Sequence, residues 1–169
     1  LLGAARRRRK GHIITTAIEH AATLSCCKRL EQEGFAFTYL APDETGHIPA
    51  AAFAAALRDD TILASMMLVN NETGVQLPVE ECGRMLKRRC PEALFHIDAV
   101  QGLFRVPLTP SKWCCDLMSV SGHKIGAPKG IGALYQRKGL HLPPLLLGGG
   151  QESGLRSGTE ALPNIAASG

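Results

Sequence analysis

A chain of 169 residues, 45% hydrophobic and 20% charged, is long enough to bury a single-domain core, and a formal charge of +4 is modest for a nucleic-acid binder. No apolar run approaches the length of a membrane span, about 18 residues, and Leu1-Leu2 lead into basic residues without the apolar stretch of a secretory signal. The run Arg6 to Lys10 holds much of the positive charge; no aromatic residues interleave it, so it reads as a solvated helix end or loop. Six cysteines, at 26, 27, 82, 90, 114 and 115, form no C-x-x-C arm for zinc, and no metal site is expected. They read as reduced, half-buried fillers in a cytoplasm-like compartment.

In chain order, Gly11 to Ala17 is a short β-branched run, read as a strand. A helix comes after Glu19-His20, with small or apolar positions at Ala21, Leu24, Cys27 and Leu30 and Gly34 as its C-terminal cap. Phe35, Phe37 and Tyr39 alternate as one face of a strand does, and Pro49 opens an alanine-rich helix through Leu57. Thr61 to Val69 is continuously apolar, which suits a strand covered on both faces of a parallel sheet. Val79 to Arg89 is helical, with Cys82, Met85 and Leu86 on one side. Leu94 to Ile97, Asp116 to Val120 and Ile131 to Tyr135 are further strands, with glycine-dense loops at 126–132 and 148–150. This alternation predicts one α/β domain with a mainly parallel sheet and no internal boundary.

The residues just beyond each strand carry the chemical information. The strand ending at Val69 exits into Asn70-Asn71-Glu72-Thr73-Gly74. The next exits into Asp98-Ala99-Val100-Gln101, and the third into Ser121-Gly122-His123-Lys124. Taken singly these have bland readings: Asp98 as a cap, Asn70-Asn71 as a turn, His123-Lys124 as a polar loop, His20 as a helix start. In open α/β sheets, however, ligands bind beyond the carboxyl ends of the strands, so three such exits converge on one crevice. Pyridoxal phosphate asks for such a set: a lysine amine, a carboxylate against its ring nitrogen, donors at its phenolate oxygen, a flat stacking group, and hydroxyls or N–H groups for its phosphate. Lys124, Asp98, Asn71 with Gln101, His20, and Ser121 supply these in turn.

The segments IEH (18–20), VNNETG (69–74), HIDAVQ (96–101), SGHKIGAPKGIGALY (121–135) and GGGQESGLRSGTE (148–160) resemble, in order, the large domain of class V aminotransferase-fold cysteine desulfurases. SGHK followed by a PKG-x-G loop is the most specific of them. The resemblance implies the three-layer, mainly parallel large domain of fold type I pyridoxal-phosphate enzymes. It implies that Lys124 is the Schiff-base lysine, that Asp98 pairs with the ring nitrogen, and that His20 stacks on the ring and assists proton transfer. Asn71 and Gln101 bond the phenolate oxygen, and Ser121 and His123 bind the phosphate. The threonine matching Thr159 reaches the phosphate of the neighbouring subunit, which implies a homodimer, and Arg156 lies near the same site. The implied reaction converts L-cysteine to L-alanine and an enzyme-bound persulfide, whose sulfur goes to an acceptor protein for iron–sulfur clusters or tRNA thiolation.

The sequence also departs from that pattern. In the family the attacking cysteine lies on a loop beyond the RSGT motif, whereas this chain has ten residues after Thr159. It reads as residues 1–169 of a partial large domain, without the N-terminal stretch, the small domain or the cysteine loop, and the isolated chain is expected not to desulfurate cysteine. Ile125-Gly126-Ala127 stands where the family often has an aromatic residue plus glycine. Selenocysteine lyase or another class V aminotransferase shares the chemistry up to the carbanion. A non-catalytic truncated product is a further alternative. A nucleotide-binding module on Gly126 to Gly132 is disfavoured, because the loop lacks the G-K-[ST] ending and does not make G-x-G-x-x-G.

Overall fold

The computed structural model describes residues 1–8 and 10–169; Arg9, within the basic run, lies outside them. In chain order the elements are α1 (Leu2–Ala5), β1 (His12–Thr16), α2 (Ala21–Gln32), β2 (Ala36–Leu40), α3 (Ala50–Ala56), β3 (Thr61–Met67), α4 (Val79–Arg89), β4 (Leu94–Asp98), β5 (Leu117–Ser121), β6 (Gly132–Gln136) and α5 (Leu162–Ala166). The strands form one six-stranded sheet in the order β2-β1-β3-β4-β5-β6. The first five run parallel, and β6 pairs with β5 antiparallel. The expected mainly parallel α/β architecture is therefore observed.

Strand alternation sorts the core into two layers. Ile13, Leu63, Leu94 and Leu117 pack with Ala5 and Leu30 on the side of α1 and α2. Their neighbours Ile14, Ala64, Phe95 and Met118 pack with Phe53, Cys82 and Leu86 on the side of α3 and α4. With helices on both faces, the inner strands are covered twice, and all five residues of β1 are buried. α4 fits because Gly83 lets it approach: a Cβ there would run into the Trp113 carbonyl and meet the Phe95 ring. The start of β5 is held by Asp116, fully buried, which accepts from Lys87 Nζ at 2.6 Å, Arg137 Nε at 2.6 Å and the Phe95 N–H at 2.8 Å.

Several boundaries differ from the sequence reading. Pro49 is the N-cap of α3 rather than its first residue. Asp116 precedes β5, and Ser121 is still part of it. Phe35 is buried just ahead of β2, while Phe37 and Tyr39 stack with ring centroids 5.6 Å apart near the surface. Arg6 caps α1 and holds Glu33 through two hydrogen bonds, while Arg7 and Arg8 are exposed. Among the described residues no helix is long and apolar enough to cross a membrane.

Candidate active site

On the face covered by α2, β3, β4 and β5 change character along their length. After Thr61 at the start of β3, they run through Leu63, Leu94 and Leu117 to Ser65 and Met67, His96 and Asp98, Ser119 and Ser121. Side chains two apart on a strand share a face, so the polar ends gather at one carboxyl edge. The register sets Ser65 opposite His96 and Asp98 opposite Ser119. A cavity of about 510 Å³ opens there. Its walls include Asn71, Asp98, Gln101, Ser121, His123 and Lys124, expected from the strand exits, and His20, expected from the start of α2. Thr159 is not among them: it is exposed on the segment after β6, as is Arg156.

Local structure explains how each side chain is presented. His20 is the N-cap of α2, and its Nδ1 accepts the Ala22 N–H at 3.1 Å. The neutral ring therefore carries its proton on Nε2. The helix-start reading and the site reading of His20 hold together. Asn70 is buried; its Oδ1 accepts from the Glu72 and Thr73 N–H groups at 2.9 Å each, and its Nδ2 donates to Ile18 O at 3.1 Å. One side chain thus shapes the turn bearing Asn71 and ties it to the turn bearing His20. Asp98 Oδ1 accepts the Val100 N–H at 3.0 Å, a turn cap that leaves its carboxyl at the cavity. Burial pushes that carboxyl above its ordinary range, while the Val100 N–H and His20 oppose the shift.

Lys124 closes a single 3₁₀ turn, residues 122–124, that leaves β5. Gly122 makes this turn possible, since a Cβ there would lie 2.6 Å from Ile131 Cγ2 and 3.0 Å from Ala127 Cβ. Ser121 Oγ and His123 Nδ1 lie 2.8 Å apart. Arg105 donates to Gln101 Oε1 at 3.1 Å and to Gln101 O at 3.0 Å, bracing the second exit.

Two groups lie in segments the sequence singled out but were given no role there. His96 is buried in the cavity wall, with Nδ1 2.9 Å from Ser65 Oγ and Nε2 2.8 Å from Ser119 Oγ. Burial pushes its imidazole down to about 3, so it is neutral and bridges three strands. Glu19 is buried against the turn before His20; Thr16 Oγ donates to its Oε1 at 2.7 Å and the Met67 N–H does so at 2.8 Å. The signal for His96 lay in Ser65, His96 and Ser119, polar residues inside largely apolar strands, and reading Thr61 to Val69 as continuously apolar passed over the first of them.

The cysteines are all free, and Cys26 alone among them lines the cavity. Burial pushes the Cys27, Cys82 and Cys115 thiols up to about 12, so these three are packing groups rather than nucleophiles. Among the described residues no cluster of three or more His, Cys, Asp or Glu could hold a metal ion.

Cysteine desulfurase 2 of Trichormus variabilis is 50% identical over 160 residues, which cover 95% of this chain and 40% of that protein. A solved NifS-like protein superposes with a TM-score of 0.94 at 42% identity, covering 98% of this chain and 46% of its own. A structure described as SspA in complex with cysteine gives 0.92 at 41% identity, covering 99% and 48%. The chain thus spans less than half the length of these relatives. The family model described as aminotransferase class-V matches residues 2–169, almost the whole sequence and every strand exit that meets at the cavity. By that match and by its fold, the chain belongs to the class-V aminotransferase family.

Proposed function

We propose that the chain is the pyridoxal-phosphate-binding core of a cysteine desulfurase, which takes L-cysteine to L-alanine and passes the sulfur to an acceptor protein. The observation that carries this reading is that seven side chains suited to one cofactor line one cavity at one edge of the sheet. Their chemistry fits the group: an amine for its aldehyde, a carboxylate for its ring nitrogen, amides for its phenolate oxygen, and a hydroxyl with an imidazole for its phosphate. Lys124 would hold it covalently, Asp98 would face the ring nitrogen, and His20 would stack on the ring. Asn71 and Gln101 would bond the phenolate oxygen, while Ser121 and His123 would take the phosphate. When bound, pyridoxal phosphate supplies an electron-poor ring that draws electrons from the substrate's α-carbon.

The chain's own groups supply the rest. Asp98, whose carboxyl burial raises, would be drawn back to its charged form by a cationic ring nitrogen and would in turn favour that nitrogen's charged form. His20 offers a flat face and an Nε2–H donor, and the Lys124 Nζ, exposed on its turn, carries a proton to or from the substrate. The substrate is supported by relatives named cysteine desulfurase and by a similar structure described as a complex with cysteine. A homodimer in which Thr159 serves the second copy's phosphate is part of the proposal, supported by exposed apolar groups at Leu134, Leu145, Leu147 and Leu162. Six free thiols support a reducing, cytoplasm-like compartment.

Incubation with pyridoxal phosphate, borohydride reduction and peptide mapping tests the assignment. The label is expected on Lys124 and lost in Lys124→Ala. Labelling mainly at Lys112, Lys129 or Lys138 would sink it.

A further inference from the structure

Among the described residues Glu19 and Asp116 are the buried carboxylate-bearing side chains; Asp116 is paired with Lys87 and Arg137, whereas the chemistry above gives Glu19, next to the cavity residue His20, no task. Its side chain is 5% exposed. Oε1 is fully engaged by the Thr16 hydroxyl of β1 and the Met67 N–H at the end of β3, whereas Oε2 is buried with no hydrogen-bond partner among the described residues. An ionised carboxylate with one bare buried oxygen is far costlier than a neutral acid. The charged and titratable groups around it give no relief: Asp98 on β4 repels a second negative charge, and Cys27 on α2 is a buried thiol coupled to it. Among the described residues no cation faces it.

We infer that Glu19 is a positioning residue of the cavity: held neutral, it ties the turn that presents His20 to the end of β3 and leaves Asp98 to carry the charge there. The inference rests on the cofactor reading for its purpose, but its geometry stands apart from it. Glu19 precedes His20 directly, and Met67, whose N–H it engages, itself lines the cavity. The Asn70 bond to Ile18 O fastens the same turn from the other side. Two buried side chains from two loops therefore fix where the His20 ring stands. Burial raises the Glu19 carboxyl to about 8, so at neutral pH it keeps its proton, and above that value a second negative charge appears beside Asp98.

A carboxyl raised in the folded state binds its proton more tightly there than in the unfolded chain. Its contribution to stability is present in full below the unfolded value of 4.5 and is lost as pH rises through about 8. Glu19→Gln keeps the acceptor oxygen and cannot ionise; Glu19→Ala removes the acceptor and leaves Thr16 and the Met67 N–H unpaired. The test is thermal unfolding of the chain and both variants from pH 5 to 9 without added cofactor, with pyridoxal phosphate affinity at pH 7 read from its bound visible absorbance. The unfolding temperature of the parent chain is expected to fall relative to Glu19→Gln across this range and level off above about 8. Glu19→Gln is expected to bind the cofactor within about two-fold of the parent, and Glu19→Ala at least about ten-fold more weakly. A parent that stays level with the Gln variant, or gains on it, as pH rises would overturn the inference, as would a Gln variant as weak as the Ala variant. If the parent takes up no cofactor, the cofactor reading falls and the unfolding profile alone judges Glu19.

Discussion

At the scale of single residues, the polar ladder Ser65–His96–Ser119 makes the clearest demand on pH. His96 is satisfied on both nitrogens and neutral, with its imidazole pushed down to about 3 by burial, against 6.5 in an unfolded chain. A histidine lowered in this way contributes stability in full above its unfolded value and loses it as pH falls through the interval below. The acid loss carried by His96 is read as a difference: between pH 7 and pH 4 the parent's urea midpoint is expected to fall relative to that of His96→Gln, which keeps one donor and one acceptor, because Glu19, raised to about 8, gains stability over the same interval in both chains. His12, also buried and lowered, and Glu33, held down to about 2 by Arg6 and Arg29, likewise act in both. An equal acid shift in the variant would show that His96 is not the group responsible. The same residues show what the sequence could disclose. Lys124, Asp98 and Asn71 were legible because each lies at or just past a strand end, a position that pattern reveals. Glu19 was not, because its importance lies in a Met67 N–H that is 48 residues away in the chain.

At the scale of elements, legibility followed length and periodicity. The Val79–Arg89 helix was readable at both ends: Pro78 caps it, Glu80 and Glu81 sit in its first turn, and Lys87, Arg88 and Arg89 close it, as the helix dipole favours. The four-residue α1 and five-residue α5 were missed, since helices that short do not form on propensity and owe their place to tertiary packing. The short turn that carries Lys124 is also a packing product, and it permits a contrast between two glycines. In Gly122→Ala the new methyl meets Ile131 and Ala127, so about 1–3 kcal/mol of stability and most Lys124 labelling are expected to go together. Gly34, at φ +90° after α2, has open space around it, so Gly34→Ala costs about 1 kcal/mol through the backbone and leaves labelling unchanged. Denaturant midpoints and the borohydride label, measured on both, check the pair; equal labelling losses would show that Gly122 matters only through global stability.

At the scale of the whole molecule, the sheet has two unlike ends. Five parallel strands bring every strand exit of the candidate site to one edge, and the opposite edge is held by structural bonds such as His12 to Thr61 at 2.9 Å and to Thr38 at 2.8 Å. The site is thus built from segments up to about a hundred residues apart, His20 to Lys124, none of which makes a cavity alone. A ligand that bridges them binds only the folded state, so its affinity must appear as stability. At a hundred-fold excess over its dissociation constant the gain is about 2.7 kcal/mol, which for a chain of this size raises the unfolding temperature by roughly 5–10 °C. Pyridoxal, which lacks the phosphate that Ser121 and His123 would hold, should give a smaller rise at equal concentration, and Asp98→Ala should reduce the rise for both. Scanning calorimetry with each compound measures this directly. Equal shifts from pyridoxal and its phosphate would mean that the Ser121–His123 corner does not bind the phosphate, even if Lys124 takes the label.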